Sequence, residues 1–290
     1  YKLYKVFKDK FLNFAKLFTV EKLMKNKKVL IISSEVTPYL PQTNQALNSY
    51  QIPKSVNDNG GQTRIFMPKY GLINERRHQL HEVIRLSGMN LVIDDEDMPL
   101  IIKVASIPKE RMQVYFIDND EYFKRRGTLR DEKDKLFKDN DERMIFFTKG
   151  VIETVKKLNW SPDIIHLHGW FTSLFPLYLK TYYKDEPLFA ESKIVTSVYS
   201  KDFDGLLSKT IQKKVSFDQI PSEEIQLLKT ANYENLIQLS LNHSDGYVVA
   251  DDGALNKIEK LIESKDIPVM DFDQTKEDKA FVSYYSNKIF

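Results

Sequence analysis

The chain alternates short apolar runs with longer segments in which apolar residues recur every three or four positions. The short runs predict buried strands at residues 29–32, 63–67, 163–168, 193–198 and 247–250. The longer segments predict helices at residues 45–57, 139–158, 170–183, 221–239 and 252–263. Strands that alternate with helices in this way predict a doubly wound, Rossmann-like α/β fold, with a mainly parallel sheet and helices on both faces.

The first predicted helix has a specific expected orientation. Its apolar residues Leu47, Tyr50 and Val56 are expected to face the sheet, and Pro53 is expected to interrupt it. In the helix over residues 139–158, Asp139 or Asn140 is the expected N-cap.

The stretch from residue 81 to 117 has a different pattern. Its apolar runs are shorter and predict strands at residues 83–86, 91–93, 100–105 and 113–117. The acidic residues 94–97 between two of these runs predict an exposed hairpin tip. A metal site is the alternative, but consecutive carboxylates point in different directions and no histidine is close in sequence.

Composition and charge argue against several classes of function. The net charge of +2 argues against a polyanionic partner, so nucleic acid is not expected. The absence of cysteine excludes disulfides, thiolate catalysis and cysteine-ligated zinc. It also suits a reducing compartment, so a cytoplasmic location is expected. Five scattered histidines do not form a metal motif, and we expect neither a metal nor a cofactor.

Three regions follow from these patterns. Residues 1–27 form a basic extension in which lysines are interleaved with apolar residues, as in a helix that lies on an anionic membrane surface. The alternative is that Met24 is the natural start and the preceding residues are upstream translation. Residues 28–265 form the α/β domain and residues 266–290 a C-terminal tail. The sequence contains no run of 18 apolar residues, so it predicts no transmembrane segment.

Several ordered motifs resemble one enzyme family. The motifs are Ser34-Glu35-Val36-Thr37-Pro38, Arg64-Ile65-Phe66-Met67-Pro68-Lys69-Tyr70-Gly71, Asp139-Asn140-Asp141-Glu142-Arg143, His166-Leu167-His168-Gly169-Trp170 and Ser244-Asp245-Gly246. They are similar to the N-terminal half of bacterial glycogen and starch synthases, which are ADP-glucose-dependent glucosyltransferases of the GT-B type. The resemblance implies a Rossmann-like domain. It also implies transfer of glucose to an α-1,4-glucan, and the length fits only the first of the two GT-B halves.

The chain departs from that family where the donor phosphates are bound. The family's phosphate-contacting lysine falls on Pro41, its two loop glycines on Thr43 and Asn44, and the following aspartate on Leu47. Proline supplies no cation, and a Cβ hinders close approach of the backbone to a pyrophosphate. The histidine that the family places near the reacting sugar falls on Val198. These replacements predict that the isolated chain lacks activity.

The resemblance to the family implies six candidate ligand-binding residues: Glu35, Thr43, Asn44, His166, His168 and Trp170. The two histidines lie at i and i+2 and therefore share one face of a strand. Each candidate also has a structural interpretation. The histidines could bond neighbouring backbone, Glu35 could accept hydrogen bonds from loop amides, and Trp170 could belong to the core instead of stacking on a sugar.

Two functions therefore stay open. One is a glycogen-synthase-like glucosyltransferase that uses ADP-glucose and an α-glucan. The other is a non-catalytic descendant that binds a glycan or a protein, as a homo-oligomer or through the face that once met the second half. A dinucleotide-dependent oxidoreductase is a weaker third option, because no Gly-x-Gly-x-x-Gly motif follows the first strand.

Overall fold

A ten-stranded sheet forms the centre of the protein. In the computed structural model, the described residues are 23–110, 112–200, 202–254, 267–277 and 279–290. The strands are β1 (Lys28–Ser33), β2 (Gln62–Pro68), β3 (His81–Glu82), β4 (Met89–Ile93), β5 (Glu96–Ile107), β6 (Met112–Asp118), β7 (Ile164–His168), β8 (Lys193–Val198), β9 (Gly246–Val249) and β10 (Val269–Met270).

The strand order is β10-β9-β8-β7-β1-β2-β6-β5-β3, and β4 pairs only with β5. The seven strands from β10 to β6 are parallel to one another, whereas β5 is antiparallel to β6, β3 and β4. The chain winds outward from β1 in one direction through β2 and β6, and in the other through β7, β8 and β9. This confirms the doubly wound fold and places the topological switch point between β1 and β7.

Helices cover both faces of the sheet. On one face, α1 (Asn44–Asp58) packs on β1 and β2. The short helices α2 (Glu75–His78) and α3 (Asp120–Phe123) follow β2 and β6. On the other face, α4 (Asn140–Lys157) contacts β6 and α5 (Leu174–Lys180), while α6 (Ile211–Phe217) and α7 (Tyr233–Asn242) pack beside them. Because both faces are covered, residues 29–32 of β1 are fully buried.

The first helix differs from its prediction in two ways. It runs without a break through Pro53, and its buried face consists of Ala46, Ser49, Ile52, Pro53 and Val56. Leu47 and Tyr50 are only half-buried. Tyr50 still packs against the core, as expected, whereas Leu47 is not part of the buried face. The proline removes one backbone donor, but its ring is buried. Tertiary packing therefore outweighs the lost hydrogen bond.

One predicted strand is wrong, and two predicted helices are each divided into two segments. Residues 83–86 form a turn, not a strand, because β3 ends at Glu82. The helix expected over residues 170–183 is a 3₁₀ turn (Trp170–Thr172) followed by α5. The helix expected over residues 221–239 is divided into a 3₁₀ segment (Gln226–Thr230) and α7, because Asn232 caps α7 through its side chain. The hairpin tip at residues 94–97 is confirmed between β4 and β5.

The C-terminal residues pack on the domain. Helix α8 (Ala280–Tyr284) contacts α1, and Tyr285 is fully buried. The three-region division stays a prediction. The basic extension at residues 1–22 and most of the helix predicted over 252–263 lie outside the described residues. Within the part of the chain that the structure describes, no helix is long and apolar enough to cross a membrane. Nor do the described His, Asp and Glu side chains form a group that could hold a metal ion.

Candidate functional site

The candidate site is the crevice between the carboxyl ends of β1 and β7. Ser33, the last residue of β1, pairs with His168, the last residue of β7. The β1–α1 loop leaves the sheet on one side of this point, and Gly169 starts the next connection on the other side. In open α/β sheets, ligands bind at such a switch point.

Gln45 fills the crevice. Its Nε2 lies 3.2 Å from Ser33 Oγ, 2.8 Å from Ser34 Oγ and 3.2 Å from the carbonyl oxygen of His168. Gly169 has φ of +78°, and a Cβ added there would lie 2.3 Å from Gln45 Oε1. The side chain therefore bridges the ends of β1 and β7 at close contact, and the backbone around it is shaped for an amide.

Glu35 and Thr43 form the outer part of the site. The Thr43 hydroxyl donates to Glu35 Oε2 at 2.5 Å, and its oxygen accepts the Ala46 N–H at 3.0 Å. Thr43 is thus the N-cap of α1. Glu35 therefore accepts a hydrogen bond from a side-chain hydroxyl. The sequence had suggested loop amides as the donors. Burial raises the pKa of Glu35, the Thr43 hydrogen bond opposes this shift, and the nearby Asp202 carboxylate adds to it.

The loop from Ser33 to Leu47 contains no lysine or arginine. Pro41 and Asn44 are exposed, and Asn44 is the first residue of α1. The positive end of the helix is therefore matched by the Glu35 carboxylate and the Thr43 hydroxyl. The local charge at this helix end is negative, which disfavours a phosphate.

His166 and His168 form a buried pair below the crevice. Their ring centroids lie 4.2 Å apart, and both side chains are completely buried. His166 Nδ1 lies 2.6 Å from Tyr285 Oη, and its Nε2 lies 2.7 Å from Ser197 Oγ. His168 Nδ1 lies 2.9 Å from Tyr199 Oη, while its Nε2 has no partner among the described residues. These side chains take the place of the backbone partners that the sequence suggested.

Burial keeps both rings neutral. It lowers the pKa of His168 to about 3. It also holds the pKa of His166 well below its usual value, and the adjacent His168 adds to the shift. Neither ring is protonated at neutral pH, so neither can provide a positive charge to a phosphate.

Trp170 belongs to the core, which was the alternative to a sugar-stacking role in the sequence analysis. Its indole N–H donates to Asp202 Oδ2 at 2.6 Å, and its ring meets Phe203 edge to face at 4.9 Å. Only 4% of the residue is exposed, so it offers no platform for a sugar ring. Val198, at the end of β8, is also fully buried.

Comparison with known proteins decides the family. Residues 28–261 match the family described as starch synthase catalytic domain. The chain belongs to this family. Among its relatives, the glycogen synthase of Chlorobium limicola is 36% identical over 222 residues, which cover 76% of this chain and 45% of that protein. The glycogen synthase of Chlorobaculum tepidum is 35% identical over 223 residues, with the same coverage of 76% and 45%. The chain therefore spans about half the length of the curated relatives it matches.

A solved structure has the same fold. The catalytic domain of starch synthase IV from Arabidopsis thaliana, bound to ADP and acarbose, matches with a TM-score of 0.67 at 15% identity. The match covers 85% of this chain and 52% of that one. At this identity the likeness establishes the fold and leaves ligand binding open.

Three residues that complete the site were not predicted from the sequence. Gln45 fills the crevice, Tyr199 bonds His168 and also accepts from Asn48, and Tyr285 bonds His166 from 119 residues away. A signal for Gln45 existed, because it follows directly after the two positions where the family has glycines. Tyr285 had no sequence signal. The ligand-binding roles of the six candidate residues stay predictions.

Proposed function

We propose that this chain, by itself, does not transfer glucose from ADP-glucose and uses the starch synthase scaffold without its donor chemistry. The observation that carries the proposal is the occupied switch point. The Gln45 amide fills the crevice, and the Glu35–Thr43 pair occupies the end of α1.

The physical argument concerns the leaving group. Departure of a nucleoside diphosphate is accelerated by cations and amide donors that are already in place around the developing charge. Here the Ala46 amide is bonded to Thr43, a carboxylate lies beside the helix end, and the adjacent loop carries no cation. Both histidines are neutral and buried. This crevice therefore supplies little stabilisation to a diphosphate.

A second candidate function is glucosyl transfer from ADP-glucose to an α-1,4-glucan. Membership of the starch synthase family favours it. Because the chain spans about half of its relatives, this function requires that a second polypeptide segment supply the donor contacts. On the first proposal the chain instead binds an α-glucan, a second copy or another protein through the exposed carboxyl edge of the sheet. In either case we propose a cytoplasmic location.

The direct test is glucose transfer. The purified chain is incubated with radiolabelled ADP-glucose or UDP-glucose and glycogen, and incorporation into polymer is counted beside a bacterial glycogen synthase as positive control. We expect no incorporation above background. Measurable turnover by the chain alone would refute the proposal.

A matched pair of variants tests the role of the crevice. Gln45→Gly opens the space between β1 and β7, whereas Asn44→Ala changes an exposed neighbour. We expect both variants to be as inactive as the original chain, because an open crevice still has no cation. If Gln45→Gly gains turnover, the filled crevice alone suppresses activity and the second function is favoured.

A further inference from the structure

The free edge of β4 lines a groove far from the switch point. Among the described residues, strand β4 pairs only with β5, and its other edge has no partner strand there. The residues Met89-Asn90-Leu91-Val92-Ile93 contain no charge and no proline, the two features that usually protect an exposed edge. The edge can therefore accept another strand.

The backbone groups that face the groove can be assigned. Pro99 lies opposite Asn90 and has no N–H, so the ladder bonds to β5 fall on Met89, Leu91 and Ile93. The Asn90 and Val92 backbone groups then point away from β5. The Val92 carbonyl confirms this direction, because it accepts a 2.8 Å hydrogen bond from Lys149 Nζ on α4. Among the described residues, no backbone–backbone hydrogen bond outside the strand ladders involves the Asn90 N–H or C=O or the Val92 N–H.

The groove has a mixed polar and apolar lining and a volume of about 940 Å³. Three large apolar side chains line it while exposed: Val92 (42%), Tyr182 (48%) and Phe217 (48%). Val92 belongs to the free edge, whereas the other two come from the segments that follow α5 and end α6. A strand added to β4 would bury them.

The charge of the groove is set by two lysines. Two of its carboxylates are in ion pairs, Asp218 with Lys149 at 2.6 Å and Glu153 with Lys156 at 3.2 Å, and the single remaining carboxylate, Glu224, contacts His243 at 3.3 Å. Lys180 and Lys184 are exposed, and no carboxylate of the described residues forms an ion pair with them. The unpaired charge at the rim is therefore positive.

We propose that this groove binds an extended segment of another protein by strand addition to β4. Backbone hydrogen bonds form with the Asn90 N–H and C=O and with the Val92 N–H, while the Val92 carbonyl keeps its bond to Lys149. Apolar side chains of the segment pack between Tyr182 and Phe217, and acidic side chains meet Lys180 and Lys184. Because successive residues of a strand point to opposite faces, the segment has acidic and apolar residues in alternation.

The test begins with selection from a phage-displayed library of random dodecapeptides on the full 290-residue chain. Counter-selection uses Val92→Pro, which removes the outward N–H but no ladder bond to β5. We expect enriched peptides that alternate acidic and apolar residues. A selected peptide, labelled with fluorescein, should lose at least tenfold in affinity for Val92→Pro and for Lys180→Glu/Lys184→Glu. The exposed pair Lys133→Glu/Lys138→Glu is the charge control and should bind as the original chain does.

Two further readouts do not depend on the folding of variants. N-methylation of alternate peptide amides should abolish binding when it blocks the set that faces β4, and the other set should tolerate it. Hydrogen exchange at Asn90 and Val92 should slow when peptide binds. The proposal is overturned if no peptide is enriched, if basic peptides are selected, if both N-methylated sets bind equally, or if the Asn90 and Val92 amides stay unprotected.

Discussion

At the switch point, side chains of the protein itself form the hydrogen bonds that a bound ligand could form. The two N–H groups of the Gln45 amide are directed at three acceptors, Ser33 Oγ, Ser34 Oγ and the His168 carbonyl, so the amide takes a place that a ligand could otherwise take. Tyr285 and Ser197 bond the two nitrogens of His166, one of which donates and the other accepts in the neutral ring. Polar groups that were candidates for ligand binding are mostly partnered within the protein.

The buried histidine pair predicts a loss of stability in mild acid. The pKa of each ring is lower in the folded protein than in the unfolded chain, where it is near 6.5. The unfolded chain therefore binds more protons below pH 6.5, and the free energy of unfolding falls as the pH decreases from 6.5 toward about 3. Each histidine contributes a slope of about 1.4 kcal/mol per pH unit.

Urea unfolding between pH 8 and pH 5 measures this slope. His168→Gln removes one titrating ring, so we expect its slope below pH 6.5 to be smaller by about 1.4 kcal/mol per unit. Exposed His81→Gln is the matched control for the loss of a histidine side chain. Equal slopes for the original chain and His168→Gln would show that this ring is accessible to protons in the folded state.

At the scale of the element, the N-terminus of α1 is a structural cap where the family has a glycine-rich loop. Thr43 caps the helix and bonds Glu35, so one residue joins the helix to the loop that follows β1. The departure at Thr43 was readable from the sequence, because it was aligned with a family glycine. Because the helix was predicted to begin at residue 45, both the N-cap role of the hydroxyl and its contact with Glu35 emerged only from the folded structure.

Thr43 substitutions test this cap. Thr43→Ala should lower the free energy of unfolding by about 1 kcal/mol, whereas Thr43→Gly should lower it by only a few tenths. The reason is that glycine leaves the helix end accessible to water and tolerates the cap backbone. Chemical denaturation of both variants checks the order. A larger loss for Thr43→Gly than for Thr43→Ala would contradict the capping role.

At the scale of the whole molecule, local pattern predicted the parallel strands and the doubly wound fold, because buried strands are continuous apolar runs. The local pattern predicted the wrong structure where tertiary contacts determine the conformation. Pro53 stays inside a helix because its ring is buried, and residues 83–86 turn although they are apolar enough for a strand. The site was predicted less well, since Gln45 and Tyr285 gain their roles only when β7, α1 and the C-terminal residues meet.

The most direct measurement is calorimetric titration of the purified chain with ADP-glucose, with ADP and maltoheptaose titrated in parallel. A filled crevice without cations predicts no heat of binding for ADP-glucose or ADP at ligand concentrations up to about 1 mM, the weak end of ordinary enzyme–substrate affinities. Binding of ADP-glucose in the micromolar range, lost on Pro41→Asp or Thr43→Asp at the β1–α1 loop, would contradict it.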